Sequence, residues 1–280
     1  MIIVVTGAAV RLTGSGLGCS DWPRCEETQF VADMGDTNAA IEFLNRLFTG
    51  VVSIAVALAV LGSFARTPRR KDLTWWSLGL VAGVLGNTVL GGITVLTHLT
   101  PPIVMAHFLL SIELVWNAVV LHERAGHDGS VGQPVVAPQV RALGHALVAT
   151  AGVVLLTGTI VTGTGPHGGD ESVERLPFEI TEVARIHSIA AWVFLALSAW
   201  TLVQLRRSGA PSVVERRAGE LAAVIVLQGG IGYLQYFTNV PAGLVLLHVT
   251  GSVLVWIAAI RLMLTFVARP VETPTRQTVG

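Results

Sequence analysis

Charged side chains are scarce in this chain: Asp, Glu, Lys and Arg make up 13% of its 280 residues, against 52% hydrophobic ones. A soluble domain of that length cannot hide so much apolar surface, so a water-soluble globular fold is excluded. The 18 basic and 18 acidic residues cancel, and no basic patch interleaved with aromatics supports a nucleic-acid partner. Cysteine is nearly missing as well. The two that occur, Cys19 and Cys25, bracket Ser-Asp-Trp-Pro-Arg, a stretch too poor in ligands for zinc because no histidine lies nearby. The first ten residues have neither a charged leader nor a small-residue cleavage site, so they do not read as a signal peptide.

What is present is long apolar runs, and the mean hydropathy is +0.66. A spanning helix needs about 20 mostly apolar residues. Seven full candidates appear, at 43–65, 73–96, 103–121, 142–163, 184–205, 220–237 and 242–267. The stretch from Met1 to Val10 reaches half a bilayer before Arg11, and reads as the end of a first helix whose beginning is missing. The expectation is an all-α integral membrane protein of eight helices, built as two pseudo-symmetric four-helix bundles. The halves would be 1–125 and 141–268, with a linker at 126–140 and a tail at 269–280. Segments 66–72, 122–141, 206–219 and 268–280 hold the basic residues, Arg276 among them, whereas the opposite loops are acidic. The positive-inside rule then puts both termini in the cytoplasm and the acidic loops outside a cell membrane. Cys19 and Cys25 fall in the first outer loop. Thiols in an oxidising compartment tend to pair, and a disulfide is expected there, with two unpaired surface thiols as the alternative.

The halves repeat one another. Thr6-Gly7 through Gly14-Ser15-Gly16, then Gly91-Gly92-Ile93-Thr94, Pro101-Pro102 and His107, are echoed by Thr157-Gly158 through Gly163-Thr164-Gly165, Gly229-Gly230-Ile231-Gly232, Pro241 and His248. Ionisable groups inside a bilayer need a partner or a job. His107, His187 and His248 all enter from the outer ends of helices, and two imidazoles from separate helices can hold a haem iron. Asn45 occupies the position that His187 holds in the second half. An amide is a poor iron ligand, so the two pockets are expected to differ. His187 and His248 would give a six-coordinate haem, whereas His107 opposite Asn45 would leave one iron face open.

Glu42 shares a helix face with Asn45. It can exchange a proton beside that open face, or pair with Arg46 one turn on; the spacing permits both. Arg11, Arg46 and Arg185 lie at outer helix ends, where binding of haem propionates and plain snorkelling are equal alternatives. Glu113, deep in the fourth helix, is expected to hydrogen bond to Asn87 or Gln228. The other five histidines, at 98, 122, 127, 145 and 167, are assigned no chemistry. Gly91-Gly92 and Gly229-Gly230 suit close approach of a helix or a porphyrin.

The run from Val10 to Cys25, with Gly14, Gly16, Gly18, Cys19, Asp21, Trp22 and Pro23, resembles the first outer loop of haem A synthases. Leu90 to Thr97 and Glu42 to Arg46 fit the same family, and the likeness extends from about residue 6 to residue 267. The resemblance implies eight helices in two halves, each holding one haem. It implies that His187 and His248 ligate a b-type haem (haem b), that His107 serves the pocket for the substrate haem O, that Glu42 is a required carboxylate, and that Cys19 pairs with Cys25. The implied reaction oxidises the C8 methyl of haem O to a formyl group, giving haem A by successive hydroxylations. The implied partners are the lipid bilayer, haem O synthase and the cytochrome c oxidase assembly machinery. Asn45 departs from the pattern, since many members have histidine there, and marks a variant branch. A second reading remains: a non-enzymatic di-haem carrier of the cytochrome b kind. A transporter is a weaker third, because no helix is broken at mid-bilayer in matching halves.

Overall fold

The computed structural model describes residues 1–270; the expected cytoplasmic tail lies almost wholly outside them, as does Arg276. Eight helices occur in the described residues: α1 (Ile2–Leu12), α2 (Thr37–Ala65), α3 (Lys71–Leu96), α4 (Pro101–Ala125), α5 (Pro138–Thr164), α6 (Ile180–Arg207), α7 (Ser212–Phe237) and α8 (Ala242–Thr265). Six of the seven long ones begin before the apolar run that announced them, because less apolar residues open the helix ahead of its lipid-facing part; α8 begins where its run does. The Asp36 side chain accepts from the backbone N–H groups of Asn38 and Ala39 at the start of α2. Prolines open α4 and α5, where a missing N–H costs nothing.

Six helices are long and apolar enough to cross a membrane: α2, α3, α4, α5, α6 and α8. The chain is thus an all-α, multi-pass membrane protein. The expected seventh span, α7, is long enough at 26 residues but falls short in hydropathy. Gln228, Gln235, Tyr233, Tyr236 and three glycines dilute its apolar part. The helix α1 has 11 residues, too few to span.

Consecutive helices pack side by side, α5 also closes onto α8, and α8 in turn touches both α4 and α1. The α4–α8 contact joins the two sequence repeats. There Trp116 lies 5.6 Å from Trp256, whose indole N–H donates to the Ile112 carbonyl at 3.1 Å. Glu123 accepts from Arg261 at 3.0 Å nearer the basic end. Gln133-Pro134 and Val267-Ala268 form a two-residue antiparallel bridge that ties the α4–α5 connection to the end of α8.

The sequence repeat is also a conformational one. The α3–α4 turn carries two successive left-handed residues, His98 (φ 51°) and Leu99 (φ 57°), and the α7–α8 turn does the same with Asn239 (φ 59°) and Val240 (φ 56°). In both, the second residue's N–H returns to a carbonyl five residues back, Leu99 to Thr94 at 2.9 Å and Val240 to Gln235 at 2.8 Å, the hydrogen bond of a Schellman turn. A β-branched valine at positive φ is held there against its own preference. The turn geometry is therefore imposed by the packing around it.

Those turns anchor the acidic-side loops. Leu99 is buried, and its Cδ1 fills the space beside Gly16 and Gly169. The Gly16 N–H donates to the Gly169 carbonyl at 2.8 Å, joining the α1–α2 loop to the α5–α6 loop. His167 Nε2 sits 2.8 Å from the Val240 carbonyl. The sequence assigned that histidine no chemistry, and here it works as a loop clip.

Candidate functional site

The three intramembrane histidines hold matching places: His107 is seventh in α4, His187 eighth in α6 and His248 seventh in α8. At 1.5 Å per residue they lie about 10 Å below their helix starts. Asn45 is ninth in α2, completing the layer. Each imidazole leans on a glycine of the preceding helix. A Cβ would come within 3.3 Å of His107 Cε1 at Gly91, 3.1 Å of His187 Cε1 at Gly158, and 3.0 Å of His248 Cε1 at Gly232. Real carbon contacts begin near 3.5 Å, so a hydrogen at these three sites lets the ring lie against the helix. The sequence suggested Gly91-Gly92 and Gly229-Gly230 for close approach. Gly92 instead receives Trp22 from the first outer loop, with Cδ2 only 2.5 Å from a notional Cβ, whereas Gly229 and Gly230 have nothing within 4 Å.

His187 and His248 meet. Their ring centres are 6.3 Å apart and their planes cross at 79°. Two imidazoles on one metal, each with a nitrogen–metal bond of about 2 Å, place their centres roughly 6 Å apart. The residues present thus fit a group ligated from both sides. The Thr157 hydroxyl is 3.1 Å from His187 Nδ1, and the Gln228 amide is 3.0 Å from His248 Nδ1. The Thr157 oxygen can accept from His187 Nδ1–H, which orients that ring and leaves its Nε2 for ligation, whereas the Gln228 NH2 group stands beside His248 Nδ1 as a donor and fixes that ring's orientation. Thr157 and Gln228 were not picked out by sequence reasoning for this role. The available signal was the Thr-Gly and Gln-Gly-Gly runs one helix before each histidine. No cluster of three or more His, Cys, Asp or Glu suited to a metal ion occurs among the described residues.

The first half is built differently. Asn45 Oδ1 is buried with no hydrogen-bond partner, the kind of polar atom a bound ligand satisfies, and buried His107 Nδ1 has only the Asn87 backbone near it, without good hydrogen-bond geometry. Above them, Cys19 and Cys25 are fully buried and joined as a disulfide, as expected. Gly18 lies so close to the start of α2 that a Cβ would meet the Asn38 carbonyl oxygen at 2.3 Å. This contact brings the Cys19 N–H to Glu42 Oε2 at 2.7 Å. Glu42 Oε1 pairs with Arg46 Nη2 at 2.6 Å, and Arg46 also donates to the carbonyls of Asp21 (3.1 Å) and Arg24 (2.9 Å). The ion pair that the spacing permitted is thus formed, and Glu42 and Arg46 together hold the disulfide loop onto α2.

Arg11 packs its side chain against Gly169 and lies within electrostatic reach of Arg175. Arg185 is exposed on α6 and makes no ion pair among the described residues. The expectation for Glu113 is corrected. Asn87 Oδ1 instead accepts from Ser111 at 2.9 Å, Gln228 engages His248, and Glu113 is exposed on α4. Its place on the helix turns it away from the α3-facing row formed by His107, Ser111 and Leu114.

Residues 1–39 and 31–168 match the family described as cytochrome oxidase assembly protein. A heme A synthase of Bradyrhizobium sp. is 24% identical over 312 residues, covering 91% of this chain and 84% of that protein. One from Exiguobacterium sibiricum is 25% identical over 170 residues, 59% of this chain and 56% of that protein. One from Geobacillus kaustophilus is 32% identical over 108 residues, 38% of this chain and 33% of that protein. The chain thus spans about half the length of some curated relatives it matches and most of others. With the profile running through the disulfide loop, α2, α3 and α4 and into α5, the chain belongs to the cytochrome oxidase assembly protein family.

Proposed function

We propose that this protein is a haem A synthase, an oxidoreductase that converts the C8 methyl of haem O to a formyl group by successive hydroxylations within the membrane. The observation that carries the reading is the His187–His248 pair, 6.3 Å apart and each with a polar partner on Nδ1. A b-type haem bound there supplies one-electron transfer. The four helices of the second half, 141–268, orient it; the first half, 1–125, forms the substrate pocket, with 126–140 as the connection. On this reading both chain ends stay on the cytoplasmic side, where the positive-inside rule puts the basic loops, although α1 as described is too short to reach that side.

In the first pocket His107 would hold the iron of haem O, and Asn45, a poor iron ligand in the matching place on α2, would leave room for the reacting group. Glu42 is the proton-handling carboxylate, held in place by Arg46 and the Cys19 N–H. Arg11 and Arg185 bind propionates. The burial of Arg11 beside Gly169 supports this, because a buried guanidinium is stabilised by a carboxylate. The disulfide loop, with Trp22 seated on Gly92, excludes water from above. Haem O synthase and the cytochrome c oxidase assembly machinery are the proposed neighbours in supply and use. Haem extraction from cells expressing His107→Ala tests the reading: haem O accumulates and haem A disappears. Undiminished haem A in that strain would overturn it.

A further inference from the structure

Four helix ends converge on the basic side: the C-termini of α2, α4 and α8 and the N-terminus of α3. Between them lies a cavity of about 520 Å³ lined by Arg69, Arg70, Lys71, Arg124 and Arg269, with Asp72 the only acidic residue among the described residues of its wall. Asp72 is already committed. It accepts from Arg70 at 2.9 and 2.8 Å and lies 3.6 Å from Arg124. Asp128 feels Arg70 from outside but is fully exposed and accepts from the Ser130 N–H at 2.8 Å.

The remaining cations have weaker company. Arg124 rests over the Trp76 ring at 5.6 Å, and its buried Nε has no hydrogen-bond partner. Arg69 lies over Phe64 at 5.1 Å. Among the described residues, Arg69, Lys71 and Arg269 have no carboxylate within salt-bridge distance. Burial, and then Arg124 beside it, push the Arg269 guanidinium below its ordinary pKa. Five cations around one carboxylate leave this wall with a net positive charge, which a further anion would relieve. The Gln133–Ala268 bridge ties the backbone beside Arg269 to the α4–α5 connection.

Helix ends mark the level of the bilayer headgroups, and basic pockets between helix ends suit phosphate-bearing lipids. We propose that this cavity is a binding site for the phosphate of an anionic phospholipid headgroup, clamping the α2–α3 turn to the end of α8. The phosphate supplies the missing counter-charge for Lys71 and Arg269 and adds to the single shared carboxylate, Asp72, that Arg124 has. The acyl chains run down the apolar surface of the bundle.

Native mass spectrometry of the full-length protein, released from nanodiscs, reads the site directly. With equal phosphatidylglycerol and phosphatidylcholine, wild type retains one phosphatidylglycerol in preference. The Lys71→Gln/Arg269→Gln double variant binds it about thirty-fold more weakly, two charges at roughly fivefold each. Arg216→Gln, on the same face but distant in sequence and paired with Glu220, serves as the control and retains the lipid. Should the double variant not fold, Lys71→Gln alone gives the fivefold step. Inorganic phosphate at millimolar concentration separates the sources. Displacement of lipid only by other anionic lipids supports the proposal, whereas phosphate binding in place of lipid overturns the lipid assignment. Equal retention of the two phospholipids, or no loss in either variant, refutes the site.

Discussion

Replacing Glu42 with alanine tests the coupling between α2 and the disulfide loop without any cofactor. The change removes the acceptor of the Cys19 N–H, held at 2.7 Å in a fully buried setting. A buried donor left without a partner costs about 1–3 kcal/mol. It also removes the carboxylate facing Arg46, whose side chain is 21% exposed and keeps two loop carbonyls. That loss therefore falls well below the roughly 3–5 kcal/mol of breaking a fully buried pair. Together about 2–4 kcal/mol of resistance to local opening should vanish, which at 1.4 kcal/mol per tenfold is roughly 30- to 700-fold in the opening equilibrium. Because Cys19 and Cys25 are both 0% exposed, reduction by dithiothreitol must wait for that opening. Alkylation and mass spectrometry of Cys19 and Cys25 over time should show Glu42→Ala reduced faster by that factor. Glu42→Gln, which keeps an acceptor but loses the charge, should fall between. An alanine variant reduced within threefold of wild type would refute the account of Glu42 as the loop's anchor.

Three further outcomes concern the helix contacts. Gly251→Ala places a methyl 2.1 Å from Gln228 Oε1, driving that flexible side chain off His248; the haem absorption and paramagnetic-resonance spectra should shift while folding is preserved. Gly232→Val pushes directly on His248, 3.0 Å from the new Cβ, and should cost bound haem; an unchanged spectrum in both would count against the glycine notches. Trp256→Phe deletes the indole bond to the Ile112 carbonyl at 3.1 Å. It should cost about 1 kcal/mol, read as a lower midpoint in denaturant titration, with no change in haem content.

How much was legible depended on range. The apolar runs located the helices to within a few residues, because lipid forces every backbone group into an internal hydrogen bond. The exception was the start of α7, which lies at Ser212, eight residues ahead of the apolar run at 220–237, because its first turns carry Glu215, Arg216 and Arg217 and so have no apolar signal. The histidine layer was legible because prolines and turns fix where a helix starts, and the residue count from there fixes depth. The Glu42–Arg46 pair was visible as one of two options. Which option is realised depended on Gly18 and Cys19, more than twenty residues earlier, arriving at the start of α2.

Sequence alone settled that the chain is helical and membrane-embedded, that its halves repeat, and that three imidazoles share a depth. Those properties follow from composition, period and local turn chemistry. Only the folded structure decided that His187 meets His248 and that Thr157 and Gln228 hold their rings. It also decided that Glu113 misses Asn87 and that five cations gather at one cluster of helix ends. Such pairings are set by helix rotation and by which helices are neighbours. A rotation of one residue, about 100°, is enough to exchange a pocket wall for a lipid face.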